Sequence, residues 1–175
     1  RPRGALRALL ARKLTMTNWA NLASLSRIAL IPIIVLCYEA GFVYAELAAA
    51  GLFIIGSITD WLDGYLARRL NLGSAFGAFL DPVADKLFVT AVLILLLADY
   101  PGLLVPALLI VAREITISAL REWMATRGER DLVAVAWVGK VKTTLQMIAL
   151  GLLLGTSPTT LPILFHLGLA LLWLA

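Results

Sequence analysis

The sequence predicts an all-α fold, an integral membrane bundle of six transmembrane helices. Hydrophobic residues make up 61% of the 175 positions, and charged residues make up only 15%. Soluble domains carry about 25% charged residues, so a chain of this length cannot bury so much apolar surface in its own core. A mean hydropathy of +0.92 agrees, and the apolar residues fall into separate runs. These observations indicate one membrane domain with several spans.

Six apolar runs are candidates for the spans, and they cover approximately 25–38, 43–59, 87–98, 103–112, 132–155 and 161–175. Several are shorter than the about 20 residues that a helix needs to cross the hydrocarbon core. We therefore expect four helices to continue into neighbouring polar stretches. These stretches are 60–70 for the second helix, 77–86 for the third, 111–124 for the fourth and 140–144 for the fifth.

The basic residues predict the orientation of the bundle. All fifteen Lys and Arg residues lie within 1–27, 68–86 and 113–142, whereas the polar breaks at 38–46, 99–102 and 156–160 contain none. This alternation follows the positive-inside rule, so the N-terminus and the basic zones are expected on the cytoplasmic side. The same distribution argues against nucleic acid as the reason for the net charge of +4.

The first fifteen residues are expected to be a basic segment beside the membrane, followed by the membrane domain over 16–175. The stretch "RPRGALRALLARKL" alternates Arg and Lys with Leu and Ala. After Gly4 it fits a short basic amphipathic helix on an anionic leaflet. A disordered basic tail or a non-native extension is the alternative, because "MTNWANL" from Met16 resembles a native start.

Four aspartates follow or interrupt the apolar runs, and they are Asp60, Asp63, Asp81 and Asp85. On helices at 100° per residue, the first two share one face with small residues, and the last two share a face of the next helix. Two antiparallel helices can therefore turn all four carboxylates toward one point. Small residues at the matching turns leave room for a close backbone or a ligand.

Four clustered carboxylates repel one another unless cations neutralise them. Oxygen ligands without nearby His or Cys indicate Mg²⁺ or Mn²⁺ rather than Zn²⁺. A pair of such ions is an arrangement used for in-line phosphoryl displacement. Two other roles are open for these aspartates. The aspartates could pair as helix-end residues with Arg68, Arg69 and Lys86, or they could line a cation transporter or channel.

The spacing of these residues resembles the signature of the CDP-alcohol phosphotransferase family. Every fixed position of that signature is matched. The first part is Asp60-x-x-Asp63-Gly64-x-x-Ala67-Arg68, and after a gap of eight residues the second part is Gly77-x-x-x-Asp81-x-x-x-Asp85. Three further stretches resemble the bacterial phosphatidylglycerophosphate synthases within this family: "FGAFLDPVADK", "AREITISALREWMA" and "VAWVGKVKTTLQM". The family's opening motif of Pro, Asn, Thr and Arg is altered here to Ala20-Asn21-x-x-Ser24-x-x-Arg27, in which serine keeps the hydroxyl of the threonine.

The resemblance implies a six-helix membrane bundle, usually a homodimer, in a bacterial inner membrane with its active site facing the cytoplasm. It implies one metal ion on Asp60, Asp63 and Asp81. A second ion would lie on Asp60, Asp81 and Asp85, and Asp85 would also be the general base. The donor, CDP-diacylglycerol, would be bound by Asn21, Ser24, Asp60, Gly64, Ala67, Arg68 and Ser74.

Basic residues on the fourth and fifth helices are candidates for binding the acceptor. Charges at membrane depth are costly and commonly functional, and these suit a phosphate group. The basic candidates are Arg113, Arg121, Lys140 and Lys142, and Thr143, which shares a face with Lys140, could assist them. Snorkelling or an ion pair between Glu114 and Arg121 is the alternative. On a regular helix Lys140 and Lys142 lie about 200° apart, so they are not expected to share the pocket.

The predicted activity is therefore transfer of a phosphatidyl group from CDP-diacylglycerol to sn-glycerol 3-phosphate, which gives phosphatidylglycerophosphate and CMP. The expected partners are these two substrates, membrane lipids and a second copy of the chain. A relative that uses inositol phosphate, phosphatidylglycerol or serine remains the alternative, because the acidic signature is common to all of them.

Overall fold

The structure is a computed structural model that describes residues 24–70, 75–127 and 137–175, with side chains described outside 63–70, 75–79, 137–138 and 140. All regular elements in these ranges are helical, which confirms the predicted all-α class. They are α1 (24–39), α2 (Ala45–Leu70), α3 (Ala75–Asp99), a 3₁₀ turn (Pro101–Leu103), α4 (Leu104–Thr126), α5 (Trp137–Gly155) and α6 (Pro162–Leu174). The expected amphipathic segment 1–15 lies outside the described residues.

The apolar runs do continue as helices into the polar stretches. Helix α2 runs on to Leu70, α3 begins at Ala75, and α4 extends to Thr126 without a break. Helix α5 includes residues 140–144. The prediction of these extensions is confirmed, and the candidate site residues within 60–70 and 75–85 therefore lie on continuations of apolar helices.

Two segments of the described chain are long and apolar enough to cross a membrane, Ala45–Leu62 and Pro101–Thr126. Shorter apolar helices cover Val141–Gly155 and Pro162–Leu174. Many large apolar side chains point outward, among them Leu36, which is 72% exposed. Extensive outward apolar surface is what a lipid-facing protein requires. The structure therefore confirms apolar helices that suit a membrane. That six of them cross it remains a prediction.

Helices α1, α2 and α3 pack side by side. Arg27 meets Asp60 and, one turn along α1, Leu30 meets Gly56, so α1 and α2 are antiparallel. Gly41, with a left-handed φ of 66°, lies in the short turn that joins them. Toward α3, Arg27 contacts Asp85, and at the far end of α1 the Tyr38 hydroxyl bonds Asp99. Helices α1 and α3 are therefore parallel, with these two polar contacts at opposite ends.

An aromatic pair fixes α2 against α3 below the acidic residues. The rings of Phe53 and Phe88 stack with centroids 5.0 Å apart and an interplanar angle of 10°. Both side chains are almost fully buried. Gly56 faces one ring of this pair, and a Cβ built there would lie 2.9 Å from the Phe88 ring. The glycine therefore permits the close approach that brings Asp60 and Asp85 to the same level.

Helix α5 joins the second half of the chain to α2. It packs most extensively against α6 and α2. A Cβ at Gly155 would lie 2.9 Å from the Ala50 side chain, and one at Gly168 would meet Leu153 at 3.1 Å. Small residues thus allow the backbones of α2, α5 and α6 to come close, as they commonly do between membrane helices.

Substitution of Gly56 by leucine is expected to lower the free energy of unfolding by about 1–3 kcal/mol, because the added side chain would overpack the Phe53–Phe88 contact. Gly51→Leu on the same helix is the matched control, since a Cβ at position 51 meets nothing within 4 Å. The measurement is the thermal unfolding midpoint of each variant in detergent. Equal midpoints for the two variants would contradict this account of the helix contact.

Candidate functional site

Three of the four predicted aspartates converge on one arginine of α1. Arg27 is only 4% exposed. One terminal nitrogen, Nη1, lies 2.7 Å from Oδ1 of Asp60 and also donates to Oδ1 of Asp85. The other, Nη2, lies 3.7 Å from Oδ1 of Asp81. The guanidinium therefore brings carboxylates from α2 and α3 to a single point.

Ser24 provides a second polar contact from α1. Its side chain is fully buried, and its hydroxyl donates a hydrogen bond to Oδ1 of Asp81. Ser24 and Arg27 are three residues apart on a helix, so they occupy the same face. The predicted donor-site hydroxyl thus lies inside the acidic cluster, and Asp81 is contacted by two residues of α1.

The remaining predicted donor and metal residues lie outside what the structure describes. Asn21 and Ser74 fall outside the described residues. The same holds for the side chains of Asp63, Gly64, Ala67 and Arg68, although the backbone of α2 is helical through Leu70. Their roles remain predictions.

Arg27 does not balance the charge of the cluster, and Lys86, which follows Asp85, donates a hydrogen bond from its ammonium group to the Ser118 hydroxyl. One guanidinium faces three carboxylates, so two negative charges are left over when all three are ionised. Clustered carboxylates without compensation repel one another. In the described part of the chain, no three His, Cys, Asp or Glu side chains are arranged to enclose a metal ion. In the structure, Arg27 contacts all three carboxylates. These carboxylates would offer a metal ion only oxygen ligands, which are the ligands that Mg²⁺ and Mn²⁺ prefer.

Arg27 is the site residue that the sequence analysis did not assign. The opening motif contained it, yet no role was attached to it. A usable signal was present, because Arg27 begins an apolar helix, and charged residues within such helices are costly and commonly functional. Its partners could not be read from the sequence, since Asp85 is 58 residues away.

A second polar cluster joins α4 to α5 around Arg113. From Nη2 it donates to Oε1 of Glu114 at 2.9 Å and to Oε1 of the buried Gln146 at 3.0 Å. From Nη1 it donates to the carbonyl oxygen of Ala175 at 2.8 Å. Among the described residues, Glu114 forms its ion pair with the adjacent Arg113. The predicted alternative of an ion pair between Glu114 and Arg121 is therefore wrong.

The other acceptor candidates are not joined to Arg113 by any contact in the described residues. Arg121 and Lys142 are exposed, and the Thr143 hydroxyl bonds the Gly139 carbonyl oxygen of its own helix at 3.2 Å. The Lys140 side chain lies outside the described set. Lys142 and Gln146 are four residues apart and share a face of α5, so Lys142 lies one turn from the Arg113 contact.

Comparison with known proteins decides the family. The model of the CDP-alcohol phosphatidyltransferase family matches residues 17–175. The chain belongs to this family. Both halves of the bundle, with the acidic cluster and the Arg113 cluster, fall within the matched region.

Several bacterial relatives of this CDP-alcohol phosphatidyltransferase are named CDP-diacylglycerol--glycerol-3-phosphate 3-phosphatidyltransferase. The protein from Salmonella choleraesuis is 51% identical, that from Pectobacterium atrosepticum 52%, and that from Escherichia coli strain K12 50%. Each alignment spans 139 residues and covers 78% of this chain and 76% of the relative. The apolar helices and these relatives together indicate a membrane protein.

Proposed function

We propose that this protein transfers the phosphatidyl group of CDP-diacylglycerol to sn-glycerol 3-phosphate, giving phosphatidylglycerophosphate and CMP. Family membership makes it a phosphatidyltransferase, and the relatives that are about half identical carry the name of this reaction. The observation that carries the proposal is the convergence of Asp60, Asp81 and Asp85 in the signature region of the family.

The acidic cluster is proposed to hold two divalent ions, Mg²⁺ or Mn²⁺, and members of this family generally depend on divalent metals. Asp60, Asp63 and Asp81 would hold one ion, and Asp60, Asp81 and Asp85 the other. When bound, the ions would neutralise the diphosphate of the donor and stabilise the departing CMP. The oxygen-only donor set of the described carboxylates supports this assignment.

Asp85 is proposed as the general base. Its carboxylate would accept the proton of the acceptor hydroxyl, whose oxygen attacks the phosphorus atom that carries diacylglycerol. The bond from that phosphorus to the bridging oxygen then breaks, and CMP leaves with the electron pair. A base must lie within hydrogen-bond reach of the proton that it accepts, and the place of Asp85 beside the other carboxylates supports this role.

The nucleotide is proposed to bind beside the same cluster, between α1 and α2. Ser24 would contact it from α1, and Asn21 would contact it from the segment that precedes α1. Gly64 and Ala67 would leave room for it, and Arg68 and Ser74 would contact the diphosphate. The buried Ser24 hydroxyl at Asp81 supports the placement of α1 at this site. The acyl chains would extend into lipid, which the outward apolar side chains accommodate.

The acceptor phosphate is proposed to bind among Arg113, Arg121, Lys140, Lys142 and Thr143. A cytoplasmic site in the bacterial inner membrane would give access to this water-soluble substrate, and a homodimer is the expected assembly. The basic character of the set favours an acceptor that carries a phosphate over serine.

An acceptor panel tests the proposed reaction. Purified protein with CDP-diacylglycerol and Mg²⁺ is expected to release CMP when sn-glycerol 3-phosphate is added, and not when inositol phosphate, serine or phosphatidylglycerol is added. Product identity is checked by mass spectrometry of the lipid fraction. Faster CMP release with any of the other three acceptors would overturn the assignment.

Lys142→Met is expected to raise KM for glycerol 3-phosphate about tenfold, because a hydrogen bond to a charged group contributes about 1.5–3 kcal/mol. KM for CDP-diacylglycerol is expected to stay within twofold. Arg127→Met is the control, since this exposed arginine stacks on Trp123 at 4.2 Å and has no proposed role in binding. A larger change in the donor KM than in the acceptor KM would place Lys142 elsewhere.

A further inference from the structure

Arg27 is a buried cation whose described polar contacts all go to the proposed metal ligands. Its terminal nitrogens face oxygen Oδ1 of Asp60, Asp81 and Asp85. Its remaining nitrogen, Nε, is buried and has no hydrogen-bond partner among the described residues. A buried arginine is costly to desolvate and is retained only where opposite charge compensates it. The three carboxylates therefore account for its position.

The carboxylate oxygens that contact Arg27 cannot keep these contacts and at the same time bind two divalent ions. A guanidinium with Nη1 2.7 Å from Oδ1 of Asp60 occupies the space in front of that oxygen. A divalent ion bound to that same oxygen would need this space, and an ion bound to either carboxylate oxygen would be repelled by the positive charge of Arg27 at short range. Two divalent ions bring more positive charge than one arginine, so they can replace its role in balancing the cluster.

We propose that Arg27 is the internal counter-ion of the metal-free site and that divalent ions bind in exchange for its contacts with Asp60, Asp81 and Asp85. Arg27 is then a positioning residue: it keeps the three carboxylates together until the ions arrive. This inference rests on the proposed metal dependence. Arg27 holds the carboxylates in place for the ions, and it also competes with the ions for the same carboxylate oxygens.

Removal of the charge should strengthen metal binding. Arg27→Met keeps much of the side-chain length, and its dissociation constant for Mn²⁺ is expected to fall about tenfold relative to the wild type, because a repulsive charge near the ions is gone. Arg127→Met removes one positive charge at an exposed position of the same protein and should leave the constant unchanged. The readout is the free Mn²⁺ signal in electron paramagnetic resonance, titrated with the full chain in nanodiscs without substrates.

Stability provides an independent readout. Without metal, Arg27→Met should unfold about 5–10 °C below the wild type, since three carboxylates lose the positive charge that they share. Saturating Mn²⁺ should remove most of this difference. Arg27→Lys keeps the charge and should lie nearer the wild type in both the metal-free midpoint and the Mn²⁺ constant.

Each outcome bears on the proposal. An unchanged or weaker Mn²⁺ affinity in Arg27→Met would overturn the exchange, and so would misfolding of this variant even when it is produced with saturating Mn²⁺. Absence of Mn²⁺ binding by the wild type would instead remove the proposed metal site, and the exchange with it. Tighter binding in Arg27→Met together with a larger Mn²⁺-induced rise in its midpoint would support the exchange.

Discussion

Replacement of Asp85 by asparagine is expected to lower kcat about 10³-fold while the binding of CDP-diacylglycerol changes by less than threefold. The amide cannot accept the proton of the acceptor hydroxyl at neutral pH, and its similar size preserves the shape of the donor site. The measurements are CMP release under saturating substrates and equilibrium binding of labelled CDP-diacylglycerol.

Asp99→Asn is the matched control for this prediction. Asp99 lies on the same helix, at the opposite end, where it accepts a hydrogen bond from Tyr38 at 2.7 Å. The kcat of Asp99→Asn should remain within twofold of the wild type.

Because Asp85 is also a proposed metal ligand, Mn²⁺ binding by Asp85→Asn separates the two roles of this residue. Lost turnover with retained Mn²⁺ stoichiometry would support the base, lost stoichiometry would reduce Asp85 to a ligand, and near-normal kcat would exclude both roles.

Asp60→Asn is expected to raise the Mn²⁺ dissociation constant at least about tenfold and to lower kcat about 10³-fold, because a neutral amide oxygen is a weaker ligand than a carboxylate. Asp60 is the proposed ligand of both ions, so this substitution should affect the whole site. Its oxygen Oδ1 contacts Arg27 at 2.7 Å, which places it at the centre of the described cluster.

Raised Mn²⁺ concentration gives this second prediction its own test. Part of the activity of Asp60→Asn should return at high Mn²⁺, since the defect lies in occupancy and in charge balance. Asp99→Asn should show the wild-type Mn²⁺ dependence. A Mn²⁺ constant and a kcat both within twofold of the wild type would show that Asp60 does not hold the ions.

The helices were predictable because their signals are local. The length of each apolar run compared with the length of a spanning helix required continuation through residues 60–70 and 111–124, and the structure has helices there. The spacing of Asp60 and of Asp81 and Asp85 likewise follows from helical periodicity, and the family match includes all of them.

Side-chain partners between helices were predicted less well. Glu114 and Arg121 share a face of α4, which made them a plausible pair, yet Arg113 takes Glu114 and also reaches Gln146 on α5. The cause is that α5 offers a buried amide at the level of Arg113. Periodicity within one helix contains no information about what the neighbouring helix presents.

The sequence by itself determined an all-α chain of apolar helices, the acidic signature and the family, because these depend on residues close together in the chain. Only the tertiary structure placed Arg27 against Asp60, Asp81 and Asp85. That contact requires α1 to pack antiparallel to α2 and parallel to α3, with Gly56 and the Phe53–Phe88 stack fixing the level of the helices. A buried charge takes its partners from whatever the packed helices bring near it, so its role depends on the packing of distant segments.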